Sequence, residues 1–491
     1  MKTSLKSFLI LVALLIFRSA SAQQLIQSDV QRVIAQAAAR AEKISPNSLI
    51  AVVDREGFVL GVWDVNGGAP TEKEIGEAIS KAGTAAFLSS NENAFTTRTA
   101  GFIIQQNFPP GVRNKPPGPL VGVGFSQLAF SDVNRYKGPG SIPGGLSVRV
   151  PATSMNGSPG GVPLYKDGFL VGGVGVVGGG REGFLPGFDP DEDVALSGQL
   201  GFKPRQAILG SRVLIDGIRI PYVRNSTVPP ALAIFGSIGN GVPPYTVIGS
   251  PPPFPWPVAV LGGVFGELRQ LIINDPIPGT INGQARLTAA EVTDIIAKAA
   301  ARSRITRAGI RPPGVTPARV WISVVNNPTQ DGVGPTVLGT FRTPDATIFS
   351  WDLAVQKART AVFFSNNERA FSTRTVGFLA QSNFPPGIVN TPPGPFNFVQ
   401  ELASFELAPG VGLNPNFPNG MTIFPGGFPL YRNGVMIGAI GVSGDGIDQD
   451  DIIAASGTVD FLPPPAIKAD RMGYRGARLP YAKFPRNPVL Q

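Results

Sequence analysis

Apolar positions along the chain follow helical and strand-like spacings in one order that occurs twice. After Val30, and again after Val292, apolar residues recur every three or four positions, which predicts an amphipathic helix. Each helix opens with a capping-box pattern that satisfies free amides of the first turn, at 28–31 and at 288–291. Two strand-like runs and a second helix follow, predicted at 49–53, 58–63 and 72–90 in the first copy and at 320–325, 337–341 and 350–366 in the second.

The last clear element of each copy is a hairpin with a two-residue turn. The turns are Asp-Gly at 167–168 and Asn-Gly at 433–434, and these residues tolerate the positive φ angles of a type I′ turn. The returning strands at 171–177 and 437–442 are rich in glycine, which indicates close approach of another backbone. The order helix, hairpin, helix, hairpin, helix predicts an α+β domain with an antiparallel sheet.

The order occurs twice because the chain contains a duplicated domain. Residues 81–111 and 357–387 are identical at 21 of 31 positions, and smaller motifs recur around them in the same order. The distance between the copies is far longer than the repeat of a solenoid. We therefore predict a first domain at 23–225, a Pro/Gly-rich connector at 226–283 and a second domain at 284–491.

Composition excludes most familiar catalytic and metal centres. The chain is 43% hydrophobic, enough for packed cores, but it contains neither His nor Cys. It therefore has no Ser-His-Asp or Cys-His nucleophile, no His-built zinc site, no His-ligated haem and no disulfide. The sequence also shows no acid–base constellation, so we predict a non-catalytic protein.

Residues 1–22 have the pattern of a secretory signal peptide. Lys2 and Lys6 precede an apolar run at 8–17 that is too short to span a bilayer, and Ala-Ser-Ala at 20–22 gives a cleavage pattern. A retained membrane anchor is the alternative. Cleavage removes three basic residues and lowers the formal net charge from +9 to +6, and no Lys/Arg run marks a nucleic-acid site. We predict a secreted or periplasmic protein without a nucleic-acid partner and without a stable transmembrane segment after signal removal.

Several motifs of the chain resemble the GlcG/HbpS family. The second copy carries them most clearly, in the Gly-Gly-Phe-Pro-Leu-Tyr hairpin at 426–444, the Asp-Gln-Asp-Asp at 448–451 and the Lys-Ala-Arg-Thr-Ala at 357–361. The first copy shows the same order more loosely, with Lys-Ala-Gly-Thr-Ala at 81–85 and a Gly-rich hairpin at 160–178. Together and in order, these motifs are more specific than any one of them alone.

The resemblance implies an antiparallel sheet flanked by helices and assembly into symmetric homo-oligomers. The family includes extracellular haem-binding proteins and domains attached to cobalamin-related enzymes, so the cofactor it implies is haem or a related tetrapyrrole. Two features depart from the family: Pro/Phe-rich insertions at 107–158 and 383–424, and the lack of any His to ligate haem iron. Iron would need Tyr, Met, Lys or Thr instead, or would have no strong protein ligand.

Arg98 and Arg374, each within Thr-Arg-Thr, are candidate haem-binding residues. A guanidinium beside two hydroxyls suits bidentate capture of a carboxylate such as a propionate, and the alternative is a structural tie between the insertion and the central helix. Tyr165 and Tyr431 precede the hairpin turns. As tyrosinates they would ligate haem iron, and the alternative is a half-buried packing role.

The central helix offers further candidates. Thr84 and Thr360 would present an oxygen to iron, or bond back to carbonyls of their own helix. Lys81 and Lys357 are also candidates on this helix, and the alternative is that their side chains snorkel along the surface.

Acidic residues are candidates for a metal site. Glu74 and Glu77 share a helix face, and hard ferric iron favours such oxygens, although acids in a first turn also stabilise the helix dipole. The acids at 189–192 and 448–451 do not complete a calcium loop and are expected at helix N-termini.

Export and the family resemblance lead to one functional hypothesis with two alternatives. The hypothesis is an exported, non-catalytic protein that binds haem or a related tetrapyrrole. The first alternative is a structural or interaction protein of the cell envelope, in which the insertions form an oligomer interface without a small-molecule ligand. The second is an enzyme acting on haem or on a small hydroxy acid, which no acid–base constellation supports.

Overall fold

The computed structural model describes residues 23–105, 107–112, 115, 117–121, 133, 155–179, 189–224, 227–314, 317–330, 333–399 and 420–483. The predicted signal peptide at 1–22 lies outside the described residues. So do 122–132, 134–154 and 400–419, which make up much of the two predicted insertions.

Within these residues, helices and antiparallel strands follow the predicted order. The helices are α1 (Gln27–Ile44), α2 (Glu72–Leu88), α3 (Thr97–Ile103), α4 (Pro190–Gly198), α5 (Ala289–Ser303), α6 (Ser350–Phe363), α7 (Thr373–Leu379) and α8 (Ile447–Gly457). The strands are β1 (Leu49–Asp54), β2 (Val59–Asp64), β3 (Gly161–Lys166), β4 (Phe169–Val177), β5 (Leu214–Ile215), β6 (Ile218–Arg219), β7 (Asn240–Gly241), β8 (Val258–Leu261), β9 (Val264–Gln270), β10 (Thr280–Ile281), β11 (Gln284–Ala285), β12 (Val320–Asn326), β13 (Val337–Arg342), β14 (Gly427–Arg432), β15 (Val435–Gly444), β16 (Gly473–Tyr474) and β17 (Ala477–Arg478). None of the helices in the described part of the chain is both long and apolar enough to cross a membrane.

The chain forms two compact units whose segments interleave along the sequence. Unit 1 comprises Met1–Thr99, Asn156–Gly210 and Pro221–Pro255. Unit 2 comprises Ala100–Met155, Ser211–Ile220 and Trp256–Gln491. Part of the first sequence copy therefore belongs to the unit that contains the second copy.

Unit 1 is built on an antiparallel sheet with the strand order β3–β4–β1–β2–β7. Helix α2 packs closely on one face because Gly173 and Gly175 of β4 have no side chain, and a Cβ at either would collide with a carbonyl oxygen of α2. Helices α1 and α4 pack together, with Gly198 against Val33. The glycine-rich strand thus makes the close approach that the sequence predicts.

Unit 2 repeats this plan with the strand order β14–β15–β12–β13–β9–β8. Helix α6 packs on β15, and α5 packs against α8. Strands β8 and β9 come from the predicted connector and extend this sheet beyond β13. The buried Arg269 of β9 lies 5.4 Å from the rings of both Trp321 and Trp351, so the connector also covers part of the aromatic core.

The predicted α+β class is confirmed, and so are both hairpin turns. Asp167 and Asn433 have φ angles of 51° and 49°, and the glycines after them are also positive. Strand pairing across each turn is antiparallel, as a type I′ hairpin requires.

The two predicted helix caps have different outcomes. Thr288 caps α5 as predicted, since its Oγ1 accepts from the amide of Glu291 at 3.3 Å and the Glu291 carboxylate accepts from the amide of Thr288 at 2.9 Å. The cap predicted at Ser28 is wrong, because α1 already begins at Gln27. The Asp29 carboxylate accepts from the amide of Ile26 at 3.1 Å, so an acid inside the first turn satisfies the free donor instead.

Candidate functional site

Each unit buries a lysine of its central helix beside an acid of its last helix. Each Nζ donates to that carboxylate and to a carbonyl of the glycine-rich strand: Lys81 to Asp191 (3.0 Å) and Val176 (3.1 Å), and Lys357 to Asp450 (2.8 Å) and Val442 (2.8 Å). Both lysines are at most 1% exposed, so the alternative of a surface lysine is wrong at both positions. No sequence motif pairs these residues, although both the lysine and the acids recur in the two copies.

The paired glycines before each hairpin make room for the buried lysine. A Cβ on Gly426 would lie 2.9 Å from the Cβ of Asp450 and 3.2 Å from Nζ of Lys357. A Cβ on Gly427 would lie 2.6 Å from Cγ2 of Thr373 and would collide with the carbonyl of Lys357. The first-copy glycines have the same surroundings. The Gly-Gly motif is therefore a packing requirement of the lysine–aspartate pair.

The two candidate arginines bind other acids at the start of the same helices. The ion pairs are Arg98 Nε to Glu192 (2.7 Å), Arg98 Nη2 to Asp189 (3.8 Å), Arg374 Nε to Asp451 (2.6 Å) and Arg374 Nη2 to Asp448 (2.7 Å). They tie α3 to α4 and α7 to α8, whereas the structural alternative was a tie between the insertion and the central helix. Whether either arginine also contacts a ligand stays a prediction.

Burial, more than pairing, sets the electrostatics of these clusters. Desolvation raises the pKa of Asp450 to about 6, against the opposing effect of Lys357. The same burial lowers the pKa of Lys357. In unit 1, desolvation raises the pKa values of Asp191 and Glu192. Both clusters are thus shielded from water, so each charged side chain relies on its oppositely charged partner for stabilisation.

The raised pKa of Asp450 predicts a pH dependence opposite to ordinary acid denaturation. An unfolded aspartate titrates at about 3.9. Because the folded state holds this proton more tightly, the contribution of Asp450 to stability is fully present below that value and is lost as the pH rises through about 6. We therefore compare the free energy of unfolding of the wild type with that of Asp450→Asn. We expect the wild-type value minus the variant value to fall as the pH rises from about 3.9 to about 6. Urea unfolding at a series of pH values measures it, and a difference that rises with pH would contradict the assignment.

The two candidate tyrosines point into the loop after the central helix. Each hydroxyl lies within hydrogen-bond distance of two carbonyl oxygens: Tyr165 of Ser90 (2.7 Å) and Asn93 (2.9 Å), and Tyr431 of Asn366 (2.7 Å) and Arg369 (3.0 Å). Burial raises the pKa of Tyr431 well above its usual value. This environment favours the neutral phenol, whereas iron ligation requires a tyrosinate.

The candidate threonines anchor the segment before each hairpin. Oγ1 of Thr84 donates to the carbonyl of Ser80 at 2.8 Å and accepts from the amide of Asn156 at 2.7 Å. Oγ1 of Thr360 accepts from the amide of Thr422 at 3.0 Å. Both threonines are buried, and their role toward iron stays a prediction.

Glu74 and Glu77 lie in the first turns of α2. The Glu74 carboxylate accepts from the amide of Thr71 at 2.8 Å, and this capping interaction lowers the pKa of Glu74. Glu77 is half-buried one turn further along the helix. In the described residues, no group of three or more acidic side chains is arranged to hold a metal ion.

Unit 2 contains a cavity of 1480 Å³ beside the Arg374 cluster. Arg374 and Asp448 line it, so one of the sequence candidates reaches this space. Its other lining groups include apolar side chains, called here the apolar wall, and charged side chains, called the charged rim. They include Phe378, Ile388, Val389, Phe424 and Leu462 on the wall and Lys115, Lys468, Arg478, Lys483, Asp216 and Asp470 on the rim.

The family described as haem degrading protein HbpS-like matches residues 25–183 and 318–458. The chain belongs to this HbpS-like family. The two matched regions fall on the two copies, and the tandem duplication is thereby confirmed. The long insertions separate the buried lysine of each HbpS-like copy from its acidic partner in the sequence.

Three solved structures are similar to parts of this HbpS-like chain. The PduOC chain of a PduOC:heme complex is 24% identical to this chain. The match covers 35% of this chain and 94% of that chain, with a TM-score of 0.25. The Klebsiella pneumoniae protein ORFY is 20% identical, and the match covers 38% of this chain and 95% of that chain, with a TM-score of 0.25. A double mutant of Streptomyces reticuli HbpS is 19% identical, and the match covers 38% of this chain and 96% of that chain, with a TM-score of 0.23. No curated protein matches the chain.

Proposed function

We propose that this HbpS-like chain is an exported, non-catalytic protein that binds haem or a related tetrapyrrole. The observation that carries the proposal is the cavity of unit 2, where an apolar wall adjoins a rim with more basic than acidic side chains. Its 1480 Å³ exceed the roughly 300–1,000 Å³ of ordinary ligand pockets. A tetrapyrrole with acidic substituents has matching chemistry, a flat apolar ring that carries carboxylates.

Family membership and the N-terminal pattern support the other parts of the proposal. The family description links the chain to haem, and the signal-like residues 1–22 support export. Because His and Cys are absent from the sequence, two of the common ligands of haem iron are absent. Apolar contacts with the ring and charge contacts with the carboxylates would then supply most of the affinity.

A hemin titration of residues 23–491 tests the proposal. We expect a saturable shift of the Soret band in the wild type. We expect the same spectrum in Tyr165→Phe/Tyr431→Phe, because both hydroxyls are engaged by backbone carbonyls and burial raises the pKa of Tyr431. Each lost hydrogen bond would lower the free energy of unfolding by about 1 kcal/mol without changing the iron spectrum.

Three outcomes would contradict parts of the proposal. A flat titration would reject ligand binding and favour the structural role of the insertions. A changed spectrum in the double variant would show tyrosinate ligation. Loss of the Soret band under ascorbate, faster than for free hemin, would show haem degradation and reject the non-catalytic role.

A further inference from the structure

The cavity of unit 2 takes its walls from both sequence copies. The first copy contributes residues within 107–121 and 214–216, and the second contributes residues within 374–389 and 423–483. The first-copy segment is held by backbone bonds from Gly118 to the carbonyl of Gln105 (2.8 Å) and from Leu120 to the carbonyl of Ile103 (3.1 Å). The second copy repeats these two bonds between 394–396 and 379–381. The first-copy wall is thus fixed to the end of the short helix that carries the Thr-Arg-Thr motif.

Four exposed apolar side chains line this cavity. Leu214, Ile388, Val389 and Leu462 are each 41–52% exposed, and all four line it. Exposed apolar surface gathered in a concave site marks a place where a ligand or partner is bound.

The charged rim adds a preference for anions. Five basic side chains line the cavity against three acidic ones. Arg374 is engaged by two acids of α8, whereas Lys115 and Lys483 are exposed. Nζ of Lys483 lies 3.2 Å from Asp448, in a solvated pair that a ligand carboxylate would be able to replace.

We infer that the chain binds its ligand at one composite site, in this cavity, to which the first copy contributes a wall. The ring packs against Ile388, Val389 and Leu462, and the carboxylates face Lys115 and Lys483. The inference rests on the proposed function and adds the contribution of both copies and the residues that contact the ring and the carboxylates. Duplication thus provides a site that a single copy does not complete.

Soret titrations of hemin with four variants of the full mature chain test the position. Ile388→Asp/Val389→Asp places carboxylates in the apolar wall, and Lys115→Glu reverses a charge contributed by the first copy. The controls are Ile305→Asp, an exposed apolar residue of unit 2 outside the cavity lining, and Lys203→Glu in unit 1. We expect the wall variant to bind about tenfold more weakly or worse, since the bound ring would cover the new carboxylates and remove their hydration. We expect Lys115→Glu to weaken binding severalfold.

A second probe separates the charge contacts from the ring contacts. Hemin dimethyl ester lacks free carboxylates, so its affinity is expected to respond to the wall variant and not to Lys115→Glu. Thermal unfolding of each variant checks the fold, which the exposure of the replaced side chains should preserve.

The outcomes distinguish this inference from the proposed function. No saturable binding by the wild type would overturn both. Saturable binding that the wall and Lys115 variants leave unchanged would overturn the cavity assignment and leave the proposed function standing. Equal weakening in the control variants would show adsorption of hemin at the surface and overturn the assignment as well.

Discussion

Replacing Lys357 with methionine is expected to lower the free energy of unfolding by about 3–5 kcal/mol. The substitution keeps the length of the side chain but leaves the Asp450 carboxylate, 2% exposed, without its cationic partner. Desolvation already raises the pKa of Asp450, so a buried carboxylate without a cation would have to take up a proton or open the cluster to water. Urea unfolding followed by tryptophan fluorescence measures the effect, because Trp256, Trp321 and Trp351 all belong to unit 2.

Two further variants test whether the loss of stability comes from breaking the buried ion pair and not from the loss of any lysine. Lys298 pairs with Asp294 and Asp460 at the surface, so Lys298→Met is expected to cost only about 0–1 kcal/mol. Lys357→Met/Asp450→Leu removes both charges and is expected to recover much of the lost stability, since apolar residues often replace a buried pair without loss. If Lys357→Met cost no more than Lys298→Met, the pair would not be a main support of the fold.

Replacing Gly161 with alanine is expected to destabilise unit 1 by about 1–3 kcal/mol. Its Cβ would collide with the carbonyl of Lys81 and with the side chain of Thr97, whose Oγ1 accepts from the Gly161 amide at 2.8 Å. Neither neighbour is free to move, because one is helix backbone and the other begins α3. Scanning calorimetry measures the change as a lower transition temperature.

The control for this variant is the same chemical change at Gly83. This glycine lies in the middle of α2, also in unit 1, and a Cβ there would have no atom within 4 Å. Gly83→Ala is therefore expected to stabilise the unit by about 0.5–1 kcal/mol, because alanine favours helix. Changes of the same sign in both variants would contradict the packing role of the Gly-Gly motif.

The elements of the fold could be predicted because local patterns determine them. Apolar spacing fixes the positions of α1 and α5, and Asp167 and Asn433 begin the turns with the φ angles they tolerate best. Local patterns fail where two of them compete. Ser28 matches a capping pattern, but the helix starts before it because Asp29 already satisfies the free amide.

The candidate site was harder to predict because its partners are far apart in sequence. Lys357 and Asp450 are separated by 93 positions, and no periodicity reports that a charged residue turns inward. The signal present was a lysine and an acidic group that recur together in both copies. The cavity of unit 2 could not be predicted at all, since its walls join segments of both copies.

The strand pair contributed by the connector changes how the chain tolerates cleavage. Strands β8 and β9 are an integral part of the second sheet, so a protease cut after β9, at residues 271–283, would not simply release two intact halves. The second half would lose Arg269 from its position over Trp321 and Trp351 and would expose β13 as a bare sheet edge. Such an edge pairs readily with other chains. Proteolysis at 271–283 would therefore convert a folded protein into an aggregation-prone fragment.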